Sequence, residues 1–242
     1  MSTILFVSYS GMFGGSEQVL LDCAAVAEAE PLLACPEGAL AQRARAAGIT
    51  VVCLPIRPLD LRAGAAARAH AVWQLAAHAR ELRRLVRDTD PALTVAWGMR
   101  SAVAALAAPR STPLAVSHQD FLPGALIGRG VRAAAARAVA VFVPSAAVAA
   151  DLDPQGRLGE RLHVIAPGVD PEHFASVGTP PDTPVVLVLG ALAAWKRPDL
   201  ALEACALARR ELPELVVQFV GSPVTGADDQ SAALRARAAA PD

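Results

Sequence analysis

The sequence predicts an α/β fold: a doubly wound parallel sheet, followed by the beginning of a second, incomplete sheet of the same kind. Three observations carry this. Short apolar runs such as Ile4–Val7, Leu114–Ser117 and Val185–Leu189 recur along the chain without polar alternation, the mark of strands buried on both faces. Each run ends in turn residues. Helical or irregular segments separate the runs, and strands that alternate with helices join in parallel through right-handed crossovers.

The first strand, Ile4–Val7, leads into Ser8-Tyr-Ser-Gly-Met-Phe-Gly-Gly-Ser-Glu17. A helix follows, with Val19, Cys23 and Val26 on one face beside Leu20, Ala24 and Ala27, and Ser16 is placed to cap it. The loop has neither the G-x-G-x-x-G dinucleotide pattern nor the G-x-x-x-x-G-K-[ST] phosphate loop, which argues against a simple dehydrogenase or NTPase. Gly14 and Gly15 lack a Cβ, so a ligand can approach the backbone and positive φ is free of penalty.

Further strands are expected at Leu32–Cys35, Thr50–Leu54, Ala92–Ala96 and Ala140–Val143. Between the third and fourth, Val72, Leu75, Ala79, Leu82 and Val86 form an apolar helical stripe. Arg80, Arg83, Arg84 and Arg87 lie opposite it, as a solvated face or as a patch for anionic lipid. In doubly wound sheets ligands bind beyond the carboxyl ends of the strands. That rule selects Gly14 and Gly15, Gly98 and Arg100, the segment His118 to Asp120, and Ser145. A histidine at a strand end can hydrogen-bond sugar hydroxyls or support charge at a reacting centre. Ser145 also fits plain helix capping.

A Gly/Pro-rich connector, Pro167 to Pro184, precedes the strand Val185–Leu189 and a turn at Gly190. Trp195, Lys196 and Arg197 then arrive just ahead of a helix signalled by Pro198. Basic side chains at a helix N-terminus suit an anion, phosphate above all. Leu200–Arg210 reads as helix, Leu215–Val220 as strand and Gln230–Ala239 as helix. The expected division is residues 1–167 as a first domain, 168–183 as linker and 184–242 as the start of a second. Two strands make too small a sheet for a complete domain of this type, so Asp242 is expected not to be the natural end.

The bulk composition narrows the function. With 22 Lys+Arg against 23 Asp+Glu there is no basic excess to attract nucleic acid. Mean hydropathy is positive, +0.38, largely through alanine in helical runs. No apolar run reaches the ~18 residues of a membrane span; the longest, Ala138–Ala150, is interrupted by Pro144 and Ser145. Met1-Ser-Thr enters the first strand without a basic leader, so a cytoplasmic location with at most peripheral membrane contact is expected. Cys23, Cys35, Cys53 and Cys205 have no metal spacing and read as buried free thiols; His70, His78, His163 and His173 read as structural or surface residues. No metal site or cofactor is expected.

Several of these stretches resemble one family. Val164-Ile-Ala-Pro-Gly-Val-Asp170 followed by Phe174 resembles the interdomain hinge of glycosyltransferase family 4. Gly190-Ala-Leu-Ala-Ala-Trp-Lys196 is similar to its donor loop, and Gly14-Gly-Ser-Glu17 to its GG-x-E loop. The resemblance implies a GT-B architecture, two Rossmann-like domains facing a cleft. The activity it implies is metal-independent, retaining transfer of a sugar from a nucleotide-diphosphate sugar to a sugar, lipid or small-molecule acceptor. It also implies cleft roles for Gly14, Gly15 and Glu17, a place for His118 near the donor sugar, a strand-to-helix turn at Ser145, and a diphosphate role for Lys196. Three departures accompany it. Gln119 separates His118 from Asp120, where the family pairs them directly. Ala191 stands where the family has an arginine, so one phosphate cation is either missing or replaced by Arg197 or by a residue beyond the end, and the family's downstream glutamate pair has no counterpart before Asp242. The competing readings are a non-catalytic sugar- or nucleotide-binding module and a sugar-nucleotide epimerase of the same architecture.

Overall fold

The computed structural model describes residues 2–56, 65–172, 174–175, 178–179, 182–222 and 228–239, with the side chains of all but 65–72, 195 and 228–231. Among these residues the chain divides into two compact units, Met1–Asp170 and Pro171–Asp242.

The first unit is built on seven strands: β1 (Thr3–Ser8), β2 (Glu30–Pro36), β3 (Thr50–Leu54), β4 (Leu93–Trp97), β5 (Leu114–Ser117), β6 (Ala140–Val143) and β7 (Leu162–Val164). Their order is β3-β2-β1-β4-β5-β6-β7, and every pairing is parallel. Chain order reverses between β1 and β4, which is the switch point where such sheets take ligands. β7 was not expected. It has three residues at the edge of the sheet, too short a run to stand out from the following connector.

Six helices cover the two faces: α1 (Gly15–Ala25), α2 (Ala39–Ala46), α3 (Ala65–Thr89), α4 (Met99–Ala105), α5 (Ala125–Arg137) and α6 (Ala146–Leu152). Leu20, Leu21 and Ala24 of α1 and Leu40, Ala41 and Ala44 of α2 pack with Phe6, Leu33, Val95 and Trp97. On the other face, Leu82 and Val86 of α3, Ala102 and Ala105 of α4, and Val131, Ala134 and Ala135 of α5 pack with Val7, Ala96 and Val116. Alanine dominates these helix faces, so the helices lie close to the sheet and a few branched strand residues fill the interior.

Several local expectations need correction. The buried edge of α1 is Leu20-Leu21-Ala24, whereas Cys23 and Val26 are exposed. The helix ends at Ala25, before the expected stripe is complete. On α3 the buried line runs Gln74, His78, Leu82, Val86 at four-residue intervals, with Leu75 and Ala79 only half-buried beside it. Two polar side chains thus replace the apolar ones that periodicity alone selects. The arginines at 80, 83, 84 and 87 are exposed as expected. All four cysteines are free, but only Cys35 and Cys205 are buried.

The second unit holds β8 (Val185–Leu189) and β9 (Val216–Val220), paired in parallel, with α7 (Pro198–Ala208) between them and α8 (Asp228–Ala238) after them. Pro198 occupies the first turn of α7, where its missing N–H costs nothing. The turns after the two strands touch backbone to backbone: Gly190 N–H donates to Val220 O at 2.9 Å, and a Cβ on Gly221 would collide with the Gly190 carbonyl. Val185, Val186, Leu187 and Leu189 all remain exposed on β8.

Candidate functional site

The carboxyl ends of β1, β4 and β5 bring together the glycine loop, Gly98 and His118. Gly14 is the N-cap of α1, with extended backbone (φ −150°), and Gly15 is its first helical residue. Neither glycine has positive φ, so the freedom expected there is not used. What Gly15 provides is space: a Cβ built on it meets nothing within 4 Å among the described residues. Gly14 differs, because its Cβ would stand 3.4 Å from a Glu17 carboxylate oxygen.

Ser16 is not the cap. It lies inside the first turn, and its hydroxyl accepts the indole N–H of Trp97 at 2.9 Å. Trp97 ends β4 and is buried, so this bond ties the start of α1 to the neighbouring strand across the switch point. Gly98 follows at φ +81°, a conformation that favours glycine, and its N–H reaches Ser117 O at 2.8 Å. Tyr9, just past β1, stacks on His78 of α3 with ring centroids 3.9 Å apart and donates its hydroxyl to the His78 carbonyl at 3.1 Å. His78 is therefore a buried structural partner of the β1 loop, the structural one of the two readings its sequence position left open.

His118 directly follows β5, where its N–H donates to Phe142 O at 2.9 Å and so extends the ladder to β6. Its side chain is 1% exposed, and neither ring nitrogen has a hydrogen-bond partner among the described residues. A buried polar group left unpaired is costly. Burial pushes the imidazole below its ordinary pKa, against the weaker upward pull of Asp120 and Asp151. At neutral pH the ring is uncharged, with one nitrogen to donate and one to accept. Gln119 donates to the Ser117 hydroxyl at 2.6 Å, while Asp120 is exposed.

Ser145 caps α6 by accepting Val148 N–H at 3.3 Å. In the second unit, Lys196 is exposed at the end of a 3-10 turn, Ala194–Lys196. Arg197, in left-handed conformation at φ +52°, is the N-cap of α7, and its guanidinium forks onto the Asp199 carboxylate at 2.8–3.1 Å. The Arg197 hydrogen bond, aided by the Leu200 N–H, holds that carboxyl below its usual range. The cation expected to replace the family's arginine is thus already engaged, whereas Lys196 has no ion-pair partner among the described residues. His163, exposed on β7, stacks with Phe142; His173 and the side chains of His70, Val72 and Trp195 lie outside the described residues.

Sequence reading missed Asp151, the Trp97–Ser16 bond and the Tyr9–His78 stack. Asp151 had one visible sign, an acid in the last turn of a helix, where the dipole disfavours it. No group of acids, cysteines and histidines able to hold a metal occurs among the described residues, and no described helix is long and apolar enough to cross a membrane.

Comparison with known proteins shows the family and the fold. Residues 13–173 match the model of Glycosyltransferase Family 4. No curated protein sequence matches the chain. Among solved structures, Anabaena HepE in complex with UDP aligns with a TM-score of 0.74 at 22% identity, over 97% of this chain and 65% of its own. A glycosyltransferase from Rickettsia africae aligns at 0.63 and 15% identity, over 98% and 65%. A UDP-N-acetylglucosamine 2-epimerase aligns at 0.53 and 12% identity, over 95% and 71%. The chain spans just under two thirds of the first two structures. At these identities the likeness shows the fold, the Rossmann-like α/β fold of GT-B proteins.

Proposed function

The chain belongs to glycosyltransferase family 4, and from that premise we propose that it serves transfer of a sugar from a nucleotide-diphosphate sugar to an acceptor held at the carboxyl edge of the first sheet. The observation that carries this is His118: a neutral imidazole, buried at that edge with both nitrogens unpartnered among the described residues, in the same unit as a glycine turn where those residues leave open space above Gly15. Such a ring can donate to one sugar hydroxyl or oxygen and accept from another. Gly14 and Gly15 let a hydroxyl or phosphate approach the α1 backbone, and Glu17 adds a carboxylate one turn on. Asp120, exposed after the buried histidine, is available to a sugar hydroxyl, and Ser145 contributes by setting the start of α6.

In the second unit, Lys196 is the group for the leaving diphosphate. Charge that develops on the leaving oxygen is what catalysis of this transfer must stabilise, and an ammonium beside the diphosphate does so. Arg197 acts through Asp199, holding the start of α7. A uridine nucleotide is the natural first donor to test, because HepE has been solved with UDP and with UDP-glucose. Retention of configuration, independence of metal, a cytoplasmic location and at most peripheral membrane contact belong to this proposal as well.

The test is calorimetric titration of the chain with UDP, GDP and UDP-glucose, followed by UDP release in the presence of sugar, lipid-linked and small-molecule acceptors. Binding of one nucleotide that is weakened by Lys196→Ala, with acceptor-dependent release, supports the proposal. Interconversion of UDP-N-acetylglucosamine with its 2-epimer in the absence of acceptor would replace it with the epimerase reading. Absence of any nucleotide binding would leave a binding module for other ligands.

A further inference from the structure

The loop that carries His118 is held from outside. Leu122, four residues on, donates its N–H to an Asp151 carboxylate oxygen at 2.7 Å. Asp151 is the next-to-last residue of α6, where the carbonyl end of the helix dipole repels a negative charge, so its placement needs a compensating contact. The Leu122 N–H is one. The other comes from α5, which begins directly after the loop: Arg132 donates to the carbonyls of Asp151 and Leu152 at 2.8 and 2.9 Å and neutralises the end of α6. Loop and following helix are thus both fastened to the last turn of α6. Asp153, two residues on, is committed elsewhere, to the N–H groups of Arg157 and Leu158.

We propose that Asp151 is the positioning residue of the His118 loop: its carboxylate holds Leu122 and thereby fixes His118 at the carboxyl end of β5. The inference rests on the reading of His118 as the group that meets the sugar, but its test needs no sugar. Asp151 does two separable things. It accepts a hydrogen bond that keeps the loop down, and it places negative charge near the imidazole. The charged groups acting on that ring are Asp120 of its own loop and Asp151 of α6, while burial dominates over both.

Asp151→Asn keeps an acceptor for Leu122 and removes the charge; Asp151→Ala removes both. The ring titration is followed by NMR on the 242-residue chain, with the resonance assigned by its loss in His118→Gln. Leu122 amide exchange is measured on the same samples. In Asp151→Asn the His118 midpoint moves down and Leu122 protection stays within about twofold of wild type, because only the charge has gone. In Asp151→Ala the loop lifts, water reaches the ring, the midpoint moves up, and Leu122 protection falls by about tenfold or more. A general loosening of α6 does not give opposite signs in the two variants. Midpoints that move the same way in both, or a Leu122 amide equally protected in Asp151→Ala, would show that Asp151 acts only by charge or not at all, and would overturn the assignment. Failure of nucleotide binding with these signs intact would count against the transferase reading alone.

Discussion

Replacing Gly15 by alanine separates a fold requirement from a site requirement. Gly15 is the first residue of α1, its φ is not positive, and a Cβ there meets nothing within 4 Å. The new methyl therefore neither strains the backbone nor collides with a neighbour. Alanine also loses less backbone entropy than glycine on entering a helix, which is worth about 0.5–1 kcal/mol in a helix interior and less at the first position. Gly15→Ala is expected to leave the urea midpoint unchanged or raise it by up to about 1 kcal/mol in stability. If a phosphate or sugar hydroxyl uses the open space, the same methyl occupies it, and acceptor-dependent turnover falls at least tenfold, about 1.4 kcal/mol in the barrier. Urea denaturation and turnover are measured on one preparation. A loss of more than about 1 kcal/mol in folding would refute the geometric reasoning, since it requires strain or a clash that the open space rules out. Intact folding with intact turnover would remove Gly15 from the site.

Three further outcomes are expected. Gly38→Ala should destabilise the first unit by about 2 kcal/mol or more in urea denaturation, because Gly38 sits at φ +153° with its Cβ position against the Gly11 carbonyl; unchanged stability would show that this loop contact is not tight. His118 contributes a pH dependence: its folded pKa lies below the unfolded value, so the unfolded chain binds more protons between the two. Stability is thus full above about pH 6.5 and declines as pH falls through that value, a slope that His118→Gln should flatten in urea midpoints taken at pH 7.5 and 5.5. Lys196→Ala should weaken nucleotide-diphosphate binding by roughly 10- to 150-fold, the cost of a lost charge-assisted contact, read by calorimetry; equal affinity in the folded variant would exclude Lys196 from the diphosphate site.

The strands were legible because their signal is local. Four or five adjacent, mostly apolar residues bounded by turn formers can be recognised without knowing their partners, and Thr50–Leu54, Leu114–Ser117, Ala140–Val143 and Val185–Leu189 formed within those bounds. Alternation with helices then determined parallel pairing and two covered faces, because crossover handedness leaves few other topologies. The carboxyl-edge rule selects Gly14, Gly15 and His118 as candidates from the sequence. Side-chain partnership was not legible. Ser16 had the chemistry of a cap, but helix α1 begins one residue earlier and the hydroxyl faces Trp97, 81 positions away. Arg197 has the chemistry of a phosphate ligand, but its fork onto Asp199 could not be read from the sequence. On α3, apolar periodicity chose Leu75 and Ala79 over Gln74 and His78, although Tyr9 from the far end of β1 offers His78 an aromatic face. Asp151 meets Leu122 only because α5, which follows the Leu122 loop, and α6 cover the same face of the sheet. Periodicity records which face of an element is apolar, a property of neighbours in sequence. Which polar group meets which depends on the packing of elements dozens of residues apart, and only the tertiary structure decides that.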